Sequence, residues 1–397
     1  MIPLLINQEN AIKKLQQFKV GANFGEPGTG KSRSTIELIK STTCDYCLWL
    51  TPFQTKENLA AEIAKWGGLP IELDIVGTET LSSSSRTYLN LYDKLQCRNG
   101  FIVVDESLKI KNFDAKRTKR IIELGKLCEY KLILNGTPIS RNLLDVWAQM
   151  EFLSPKILNM GQAEYKNTFC EYTTIKKRIG NKWYQKQFIT KYHNVDYLYS
   201  LIKDYVYECD LELEIGKQYL DISYEIDDET KEQYQKLKKE YLDDEKLMMM
   251  NNNIFLELTQ KMQHLYCCTH DKFTVLDKIL KDTDRSKVLI FRKFVESETQ
   301  LKKRYPDVKI LSIQSHCYGL NLQDYNTIIG WDKVWDYALI QQRDHRIYRT
   351  GQTETCRFID LTGNVNLEEL MNANIAKKGK LLKYFKEKGF KELMEQL

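Results

Sequence analysis

The sequence lacks the features of a membrane-embedded, secreted or disulfide-bonded protein. No apolar run approaches the roughly 18 residues that a membrane-spanning helix needs. The amino terminus has neither the basic start nor the cleavage site of a signal peptide, so we expect a cytoplasmic protein. The ten cysteines are scattered along the chain, as is typical of proteins in a reducing compartment.

Cysteines and histidines at the spacing of metal ligands are also scarce. Cys44 and Cys47 lie in an apolar stretch with no second pair to match them, and a structural zinc site needs about four ligands. Cys267 and Cys268 lie near two histidines, but the set fits helical spacing poorly. Buried reduced thiols are therefore favoured over zinc at both places.

Neither sign of charge dominates. The chain has 59 basic and 54 acidic residues, a net charge of +5, which permits a polyanionic partner without requiring one. The composition, 42% hydrophobic and 28% charged, is that of a globular protein. At roughly 100–200 residues per domain, 397 residues allow two or three domains.

The first motif is a phosphate-binding loop. It matches G-x-x-x-x-G-K-[ST] at every fixed position, between a short apolar segment and the start of a helix. Backbone N–H groups of such a loop, together with the helix amino terminus, bind phosphate oxygens. Lys31 is predicted to reach the β- and γ-phosphates, and Ser32 to ligate Mg²⁺. The candidate nucleotide-binding residues here are Gly25, Gly28, Thr29, Gly30, Lys31 and Ser32.

A pair of acids follows a second apolar segment, Phe101–Val104. Four consecutive apolar residues indicate a strand buried on both faces, and parallel sheets bind ligands at the carboxyl ends of their strands. Asp105 is predicted to hold Mg²⁺, and Glu106 to orient and deprotonate the attacking water. Acids often end such strands by chance, so the phosphate-binding loop upstream is what makes this pair informative.

Two arginines near the other end of the chain complete the candidate site. Arg346 and Arg349 are three residues apart, on one helical face, between Gln342 and a Gly-Gln pair. If two α/β lobes each supply half of a nucleotide site, these side chains can reach the γ-phosphate across the cleft. The alternative is a solvated basic helix face.

Together these segments resemble the Swi/Snf-related ATPases of helicase superfamily two. The resemblance keeps the family's order from about Gln8 to Leu370. It implies two RecA-like lobes, ATP and Mg²⁺ as cofactors, and DNA as the partner, in duplex form, with RNA left open. The segments that carry it are residues 105–112 (DEAH-x-IKN), 134–142 (LTGTPIxN), 319–322 (GxNL) and 342–352 (QxxxRxxRxGQ).

The resemblance also implies roles for residues outside these motifs' catalytic positions. The further nucleotide-binding candidates are Gln8, Gly319, Asn321 and Gln342. The nucleic-acid-binding candidates are Thr51, Thr78, Lys111, Asn112 and Arg292.

We predict an α/β protein of two parallel-sheet lobes with a mainly helical insertion. Lobe one, the helicase ATP-binding domain, is placed at residues 1–155, and lobe two, the helicase C-terminal domain, at 271–375. A helical protrusion occupies 156–270, and a basic helical tail occupies 376–397. The tail either touches phosphates or stays solvated.

A basic β-hairpin is predicted within the protrusion, with Gly180-Asn181 as its two-residue turn. Basic residues interleaved with aromatic ones suit a nucleic-acid contact, and an ordinary solvated hairpin is the equal alternative. The candidate contacts are Lys176, Lys177 and Arg178.

The chain departs from the family's pattern in two places. Leu108 replaces the histidine that links the nucleotide site to the LTGTPIxN motif, so that link is expected to be made differently. The segment between Phe291 and Ser312 is short, and lobe two is therefore predicted to be trimmed. No chromatin-reading module is evident, as in the compact motors of bacteriophages and mobile elements, which would place the protein in a host cytoplasm.

The leading functional hypothesis is an ATP-dependent DNA motor that translocates on duplex DNA or remodels it. A strand-separating or annealing helicase, on DNA or RNA, is the second hypothesis. A nucleotide-dependent DNA-binding adaptor that does not hydrolyse ATP is a third, which the intact catalytic residues disfavour. The sequence leaves protein partners open and predicts no membrane partner.

Overall fold

Two parallel β-sheets organise the chain, which we describe from a computed structural model. The structure describes residues 3–136, 138–139, 143–179, 182–241, 252–314 and 322–387. The predicted α/β class with two parallel-sheet lobes is confirmed. Four predicted features lie wholly or partly outside the described residues: the LTGTPIxN segment at 137 and 140–142, Gly319 with Asn321, the turn Gly180-Asn181, and the last ten residues of the tail.

The strands follow the apolar segments of the sequence. In chain order they are β1 (Val20–Asn23), β2 (Tyr46–Thr51), β3 (Glu72–Gly77), β4 (Gly100–Asp105), β5 (Tyr130–Leu134), β6 (Cys170–Ile179), β7 (Lys182–Tyr192), β8 (Val206–Tyr207), β9 (Lys217–Tyr224), β10 (Val288–Arg292), β11 (Lys309–Ser312), β12 (Thr327–Gly330) and β13 (Cys356–Gly363).

The helices lie between these strands. Those up to β8 are Ile6–Leu15, Lys31–Lys40, Lys56–Lys65, Thr80–Ser83, Ser85–Gln96, Lys116–Lys126, Leu144–Leu153, Pro155–Leu158, Gln162–Phe169 and Val195–Ile202. Those after β9 are Asp228–Tyr241, Asn252–Leu265, His270–Lys281, Val295–Arg304, Tyr337–Asp344 and Asn366–Glu387. Short 3-10 helices span Phe53–Thr55, Ser107–Ile110 and Arg285–Lys287.

The first sheet has the strand order β3-β2-β4-β5-β1-β8, with parallel pairing throughout. Every residue of β2 is buried, because apolar clusters cover both faces of the sheet. Strands β1 and β4, which precede the phosphate-binding loop and the acid pair, lie on either side of β5. This order brings the two motifs to one edge of the sheet.

The second sheet has the order β11-β10-β12-β13-β9, again with parallel pairing. Apolar clusters again cover both faces. Strands β8 and β9 both come from the segment treated above as an insertion, and they join the first and the second sheet respectively. That segment therefore contributes to each lobe as well as projecting from the fold.

The projecting part is an antiparallel pair, β6 and β7, which we call the hairpin (Cys170–Tyr192). At its base, Cys170 pairs with Tyr192, and both contact the apolar core of the first lobe. Each strand extends roughly 30 Å at about 3.3 Å per residue. Within the described part of the chain, no helix combines the length and the apolarity needed to cross a bilayer.

Candidate active site

The phosphate-binding loop joins β1 to the helix Lys31–Lys40. Gly28 and Gly30 have φ angles of 93° and 79°, in the left-handed region that favours glycine. The N–H of Gly25 donates to Asn23 Oδ1 at 3.1 Å, which fixes the start of the loop. The sequence therefore folds locally into the cradle that a phosphate group requires.

The first helix, Ile6–Leu15, packs on this loop. Asn7 Nδ2 donates to the carbonyl oxygen of Thr29 at 3.0 Å. Gln8 is buried against Gly30, where an added Cβ would lie 2.0 Å from Gln8 Nε2. Gln8 therefore lies beside the loop, as predicted for a nucleotide-binding residue, and Asn7 is a contact that the motif analysis missed.

Lys31 is held inside the loop. Its Nζ donates to the carbonyl oxygens of Gly25 at 2.6 Å and Glu26 at 3.1 Å. Burial lowers the pKa of Lys31, and the carboxylates of Glu106 and Asp105 oppose that shift. Ser32 is the next residue of the helix, so its side chain starts from the first turn.

The acid pair stands at the carboxyl end of β4, facing the loop. Asp105 accepts hydrogen bonds from Thr51 Oγ1 at 3.1 Å and from the Glu106 N–H at 3.0 Å. Burial raises the pKa of Asp105, while the charge of Lys31 lowers it. Burial and the nearby Asp105 raise the pKa of Glu106 to about 7. A divalent cation suits such a site, because two buried carboxylates beside a phosphate cradle need positive charge to ionise together.

Glu106 also has an uncommon backbone. Its φ angle is 52°, in the left-handed region that residues with a Cβ rarely adopt. Such conformations cost about 1–3 kcal/mol and persist where surrounding contacts enforce them, often at functional sites. The carboxylate predicted to activate water therefore sits on a backbone that its neighbours hold in place.

Lobe two meets this site through residues 342–350. The prediction that Arg346 and Arg349 share a helical face is wrong, because the helix Tyr337–Asp344 ends before them and both lie in the turns and bends that follow. Gln342 Nε2 donates to Glu106 Oε2 at 2.8 Å, across a sequence separation of 236 residues. The positive charge of Arg346 favours the ionised form of Glu106 and so partly opposes the rise in the pKa of Glu106. Arg349 lies against Gly28, where an added Cβ would be 3.4 Å from Arg349 Cβ. The structure thus brings Lys31, Asp105, Glu106, Gln342, Arg346 and Arg349 to one cleft.

Further contacts between the lobes lie at the same place. Glu26 Oε2 accepts from the Leu211 N–H at 3.1 Å and lies 3.8 Å from His345 Nε2. Burial lowers the pKa of His345 to about 4, so this contact involves a neutral imidazole. The x positions of both motifs therefore contribute to the contact between the lobes, which the motif patterns could not reveal.

A buried ion-pair network positions the arginine segment on the second sheet. Arg343 is 3% exposed and pairs with Asp360 at 2.6 Å and with Asp344 at 2.8 Å. The two carboxylates raise the pKa of Arg343 against the effect of burial. Sequence reasoning missed this network, because Arg343 falls at an unspecified position of the motif, on a helix, and Asp360 lies on β13.

Three of the predicted nucleic-acid residues, Thr51, Thr78 and Arg292, have partners within the first or the second lobe. The side chains of Thr51 and Thr78 are fully buried, and they donate to Asp105 and to Glu79 respectively. Thr51 therefore contacts the acid pair instead of facing outward. Arg292 is ion-paired with Glu298, and burial lowers its pKa.

The remaining candidates lie on separate elements. Lys111 follows the 3-10 helix Ser107–Ile110, and Asn112 Oδ1 accepts from the Asp114 N–H at 3.1 Å. Trp183, on the hairpin, is 71% exposed. The basic candidates of the hairpin pair in register with β7 as Lys176 with Gln185, Lys177 with Tyr184 and Arg178 with Trp183.

Two of the thiols considered above as zinc ligands lie in the apolar core of the first lobe. Cys44 and Cys47 are buried free cysteines, and burial raises the pKa of both. Within the described residues, no three His, Cys, Asp or Glu side chains are grouped to hold a metal ion.

The fold and the cleft define a class of protein: a two-lobed α/β nucleotide-binding protein in which a phosphate-binding loop and an acid pair from one lobe face arginines from the other. The SNF2-related domain model matches residues 72–304, more than half of the chain. The chain belongs to the SNF2-related family.

Curated relatives share low identity over much of the chain. The SWI/SNF chromatin-remodeling complex subunit snf22 of Schizosaccharomyces pombe is 24% identical over 87% of this chain and 25% of its own length. Transcription regulatory protein SNF2 of Saccharomyces cerevisiae is 24% identical over 89% of this chain and 26% of its own length. The chain thus spans about a quarter of the length of these relatives.

The chain is similar to one solved structure, "Sulfolobus solfataricus SWI2/SNF2 ATPase core in complex with dsDNA". The matched region covers 96% of this chain and 92% of the chain in that structure. The TM-score is 0.44 and the sequence identity 18%, a similarity too distant to carry an argument.

Proposed function

We propose that the protein hydrolyses ATP in the cleft between its two lobes and uses the energy to translocate on DNA or to remodel it. The observation that carries this proposal is the hydrogen bond from Gln342 to Glu106, with Lys31 and Arg346 at the same place. A water-activating carboxylate in contact with both lobes allows hydrolysis and lobe movement to be coupled.

Each residue of the cleft has a role in this proposal. The loop N–H groups bind phosphate oxygens, and Lys31 leaves its loop carbonyls to pair with the β- and γ-phosphates. Glu106, once ionised, accepts the proton of the attacking water. Arg346 and Arg349 stabilise the charge that develops on the γ-phosphate.

Mg²⁺ fits the same site. Asp105, with Ser32 in the first turn of the helix, would hold it. When bound, the ion neutralises phosphate charge and polarises the bond to be broken. The buried carboxylates, whose ionisation is opposed by burial, would then ionise more readily.

DNA is the partner we propose, in duplex form. The SNF2-related family to which the chain belongs supports this choice, and the hairpin sequence has basic residues suited to phosphate contacts. Contacts to phosphate do not distinguish DNA from RNA, so the test described next includes RNA. A cytoplasmic location and a phage-type origin remain predictions from the sequence.

The test is the rate of ATP hydrolysis by the purified protein alone, with duplex DNA, with single-stranded DNA and with duplex RNA. We expect stimulation to be largest with duplex DNA. Absence of turnover with every nucleic acid would exclude the proposal. Larger stimulation by duplex RNA than by duplex DNA would show that RNA, not DNA, is the partner.

Strand separation is a second candidate, favoured by the exposed Trp183 near the hairpin tip. An exposed aromatic ring beside basic residues can stack on an unpaired base. A forked duplex and a triplex distinguish the two functions. Release of the fork strand supports separation, whereas displacement of the triplex strand from a fork that stays paired supports translocation alone.

A further inference from the structure

A buried glutamine, Gln149, links the loops on two sides of the phosphate-binding site. It lies on the helix Leu144–Leu153, and its side chain is 0% exposed. Its Oε1 accepts from Ser107 Oγ at 2.6 Å, and its Nε2 donates to the carbonyl oxygen of Pro138 at 2.8 Å. Nε2 also donates to the Asp145 carbonyl oxygen at 2.8 Å, which fixes the side chain against its own helix. One amide group thereby joins the end of β4 to the loop after β5.

These bonds use both N–H groups of the amide and its carbonyl oxygen. A buried amide is costly unless it is satisfied, and an apolar side chain would fill the same space without that requirement. Packing alone therefore gives no reason for glutamine at this position. The contacts themselves supply one, because they connect two loops that both border the catalytic cleft.

The first connection fixes the residue after Glu106. Ser107 is 0% exposed, and its hydroxyl bond to Gln149 anchors the chain directly beyond the left-handed Glu106 backbone. On the other side, the Glu106 N–H donates to Asp105 Oδ1. The strained residue is thus held at both ends, as a left-handed conformation at a glutamate requires.

The second connection reaches the phosphate-binding loop. Gly136 precedes Pro138 by two residues and packs against Pro27, so closely that an added Cβ would lie 2.8 Å from Pro27 Cδ. A displacement of this loop would therefore press on the segment that holds Lys31. Gln149 sets the position of that loop through the carbonyl oxygen of Pro138.

We propose that Gln149 is a positioning residue for ATP hydrolysis, which holds Glu106 and the phosphate-binding loop in fixed relation through Ser107 and Pro138. This inference rests on the proposed function. Leu108 has no polar side-chain atom with which to make such a link, and the pair Ser107–Gln149 makes it one residue earlier.

The variants Gln149→Met and Ser107→Ala, and the two combined, test the proposal in steady-state ATP hydrolysis. We expect each single variant to lower kcat about tenfold. Ser107→Ala breaks only the bond beside Glu106 and should leave the KM for ATP within twofold, whereas Gln149→Met also releases the Pro138 loop and should raise that KM. The double variant should lose little more than Gln149→Met alone, because Gln149→Met already breaks the bond that Ser107→Ala removes. The matched control is Gln263→Met in lobe two, a 1% exposed glutamine that accepts from Lys293 and donates to the Lys333 carbonyl oxygen. It should leave kcat unchanged.

A second measurement needs neither nucleotide nor turnover. Hydrogen–deuterium exchange of the nucleotide-free variants should be faster in peptides covering residues 105–110 and 132–139, and unchanged in lobe two. Should Gln149→Met fail to fold, Ser107→Ala decides by the same two measurements. A kcat within twofold of the wild-type value, or an equal loss in the Gln263→Met control, would overturn the proposal. A wild-type protein without ATP turnover would instead defeat the proposed function, and the exchange pattern would still decide whether the link exists.

Discussion

Different kinds of contact stabilise the hairpin and the cleft between the two lobes. In the cleft, hydrogen bonds and buried charges join residues far apart in sequence, such as Glu106 with Gln342 and Arg343 with Asp360. The hairpin depends on pairing between two neighbouring strands, and Trp183 on it is largely exposed. Substitutions in the cleft should therefore impair ATP hydrolysis or stability, together with the contact between the lobes. Substitutions in the hairpin should alter only the binding of nucleic acid.

The largest effect is expected from Glu106→Gln. The substitution keeps the shape of the side chain but removes the proton acceptor, so ATP turnover should fall by about 10²–10⁴-fold. Steady-state hydrolysis with duplex DNA measures it, and nucleotide binding followed by fluorescence is the control and should persist. Turnover that stays within threefold of wild type would remove Glu106 from the mechanism.

A large loss of stability is expected from Arg343→Ala. It leaves the carboxylates of Asp344 and Asp360 without their buried partner, which should cost about 3–5 kcal/mol of unfolding free energy. Urea denaturation measures this loss. The matched control, Arg285→Ala, removes a half-exposed pair with Asp307 and should cost less than about 1 kcal/mol. Equal losses in the two variants would show that the buried network does not position the segment.

The pH dependence of stability should show the burial of Glu106. Its pKa is raised from 4.5 to about 7, so between these values the folded protein retains a proton that the unfolded chain has released. The unfolding free energy should therefore fall as the pH rises from about 4.5 to about 7, by roughly 1–3 kcal/mol. Glu106→Gln should lack this part of the pH dependence, and identical profiles for the two proteins would contradict it.

The ionisation of Glu106 also predicts how the rate of hydrolysis changes at acidic pH. Because Glu106 must be ionised to accept a proton, kcat/KM should decline as the pH falls below about 7. A profile that stays flat down to pH 5 would assign proton transfer to another group.

The smallest effect is expected from Trp183→Ala. Since the ring is exposed, stability should change by less than about 0.5 kcal/mol. ATP hydrolysis without nucleic acid should also be unchanged, while affinity for unpaired DNA should fall by about 1–3 kcal/mol if a base stacks on the ring. Fluorescence anisotropy with single-stranded and duplex oligonucleotides measures the difference. An effect on basal hydrolysis would show that the hairpin and the cleft are not independent.

Local patterns predicted the parts of the site that are built locally. The strand–loop–helix around Lys31 and the acids at the end of β4 lie where the sequence placed them, because the chain needs only neighbouring residues to form them. Contacts between residues on different strands are not encoded by such local patterns. The hydroxyl of Thr51 donates to Asp105, since β2 and β4 are adjacent in the sheet, and its contact with nucleic acid stays a prediction.

The sequence by itself determined the α/β class and the residues of the phosphate-binding loop, the acid pair and the arginine segment. Only the tertiary structure decided which of them meet, and that Glu26, Arg343 and Gln149 belong with them. The physical reason is that a motif records the geometry of a few consecutive residues. Hydrogen bonds and ion pairs between lobes depend instead on how two sheets, each folded around its own core, come to face each other.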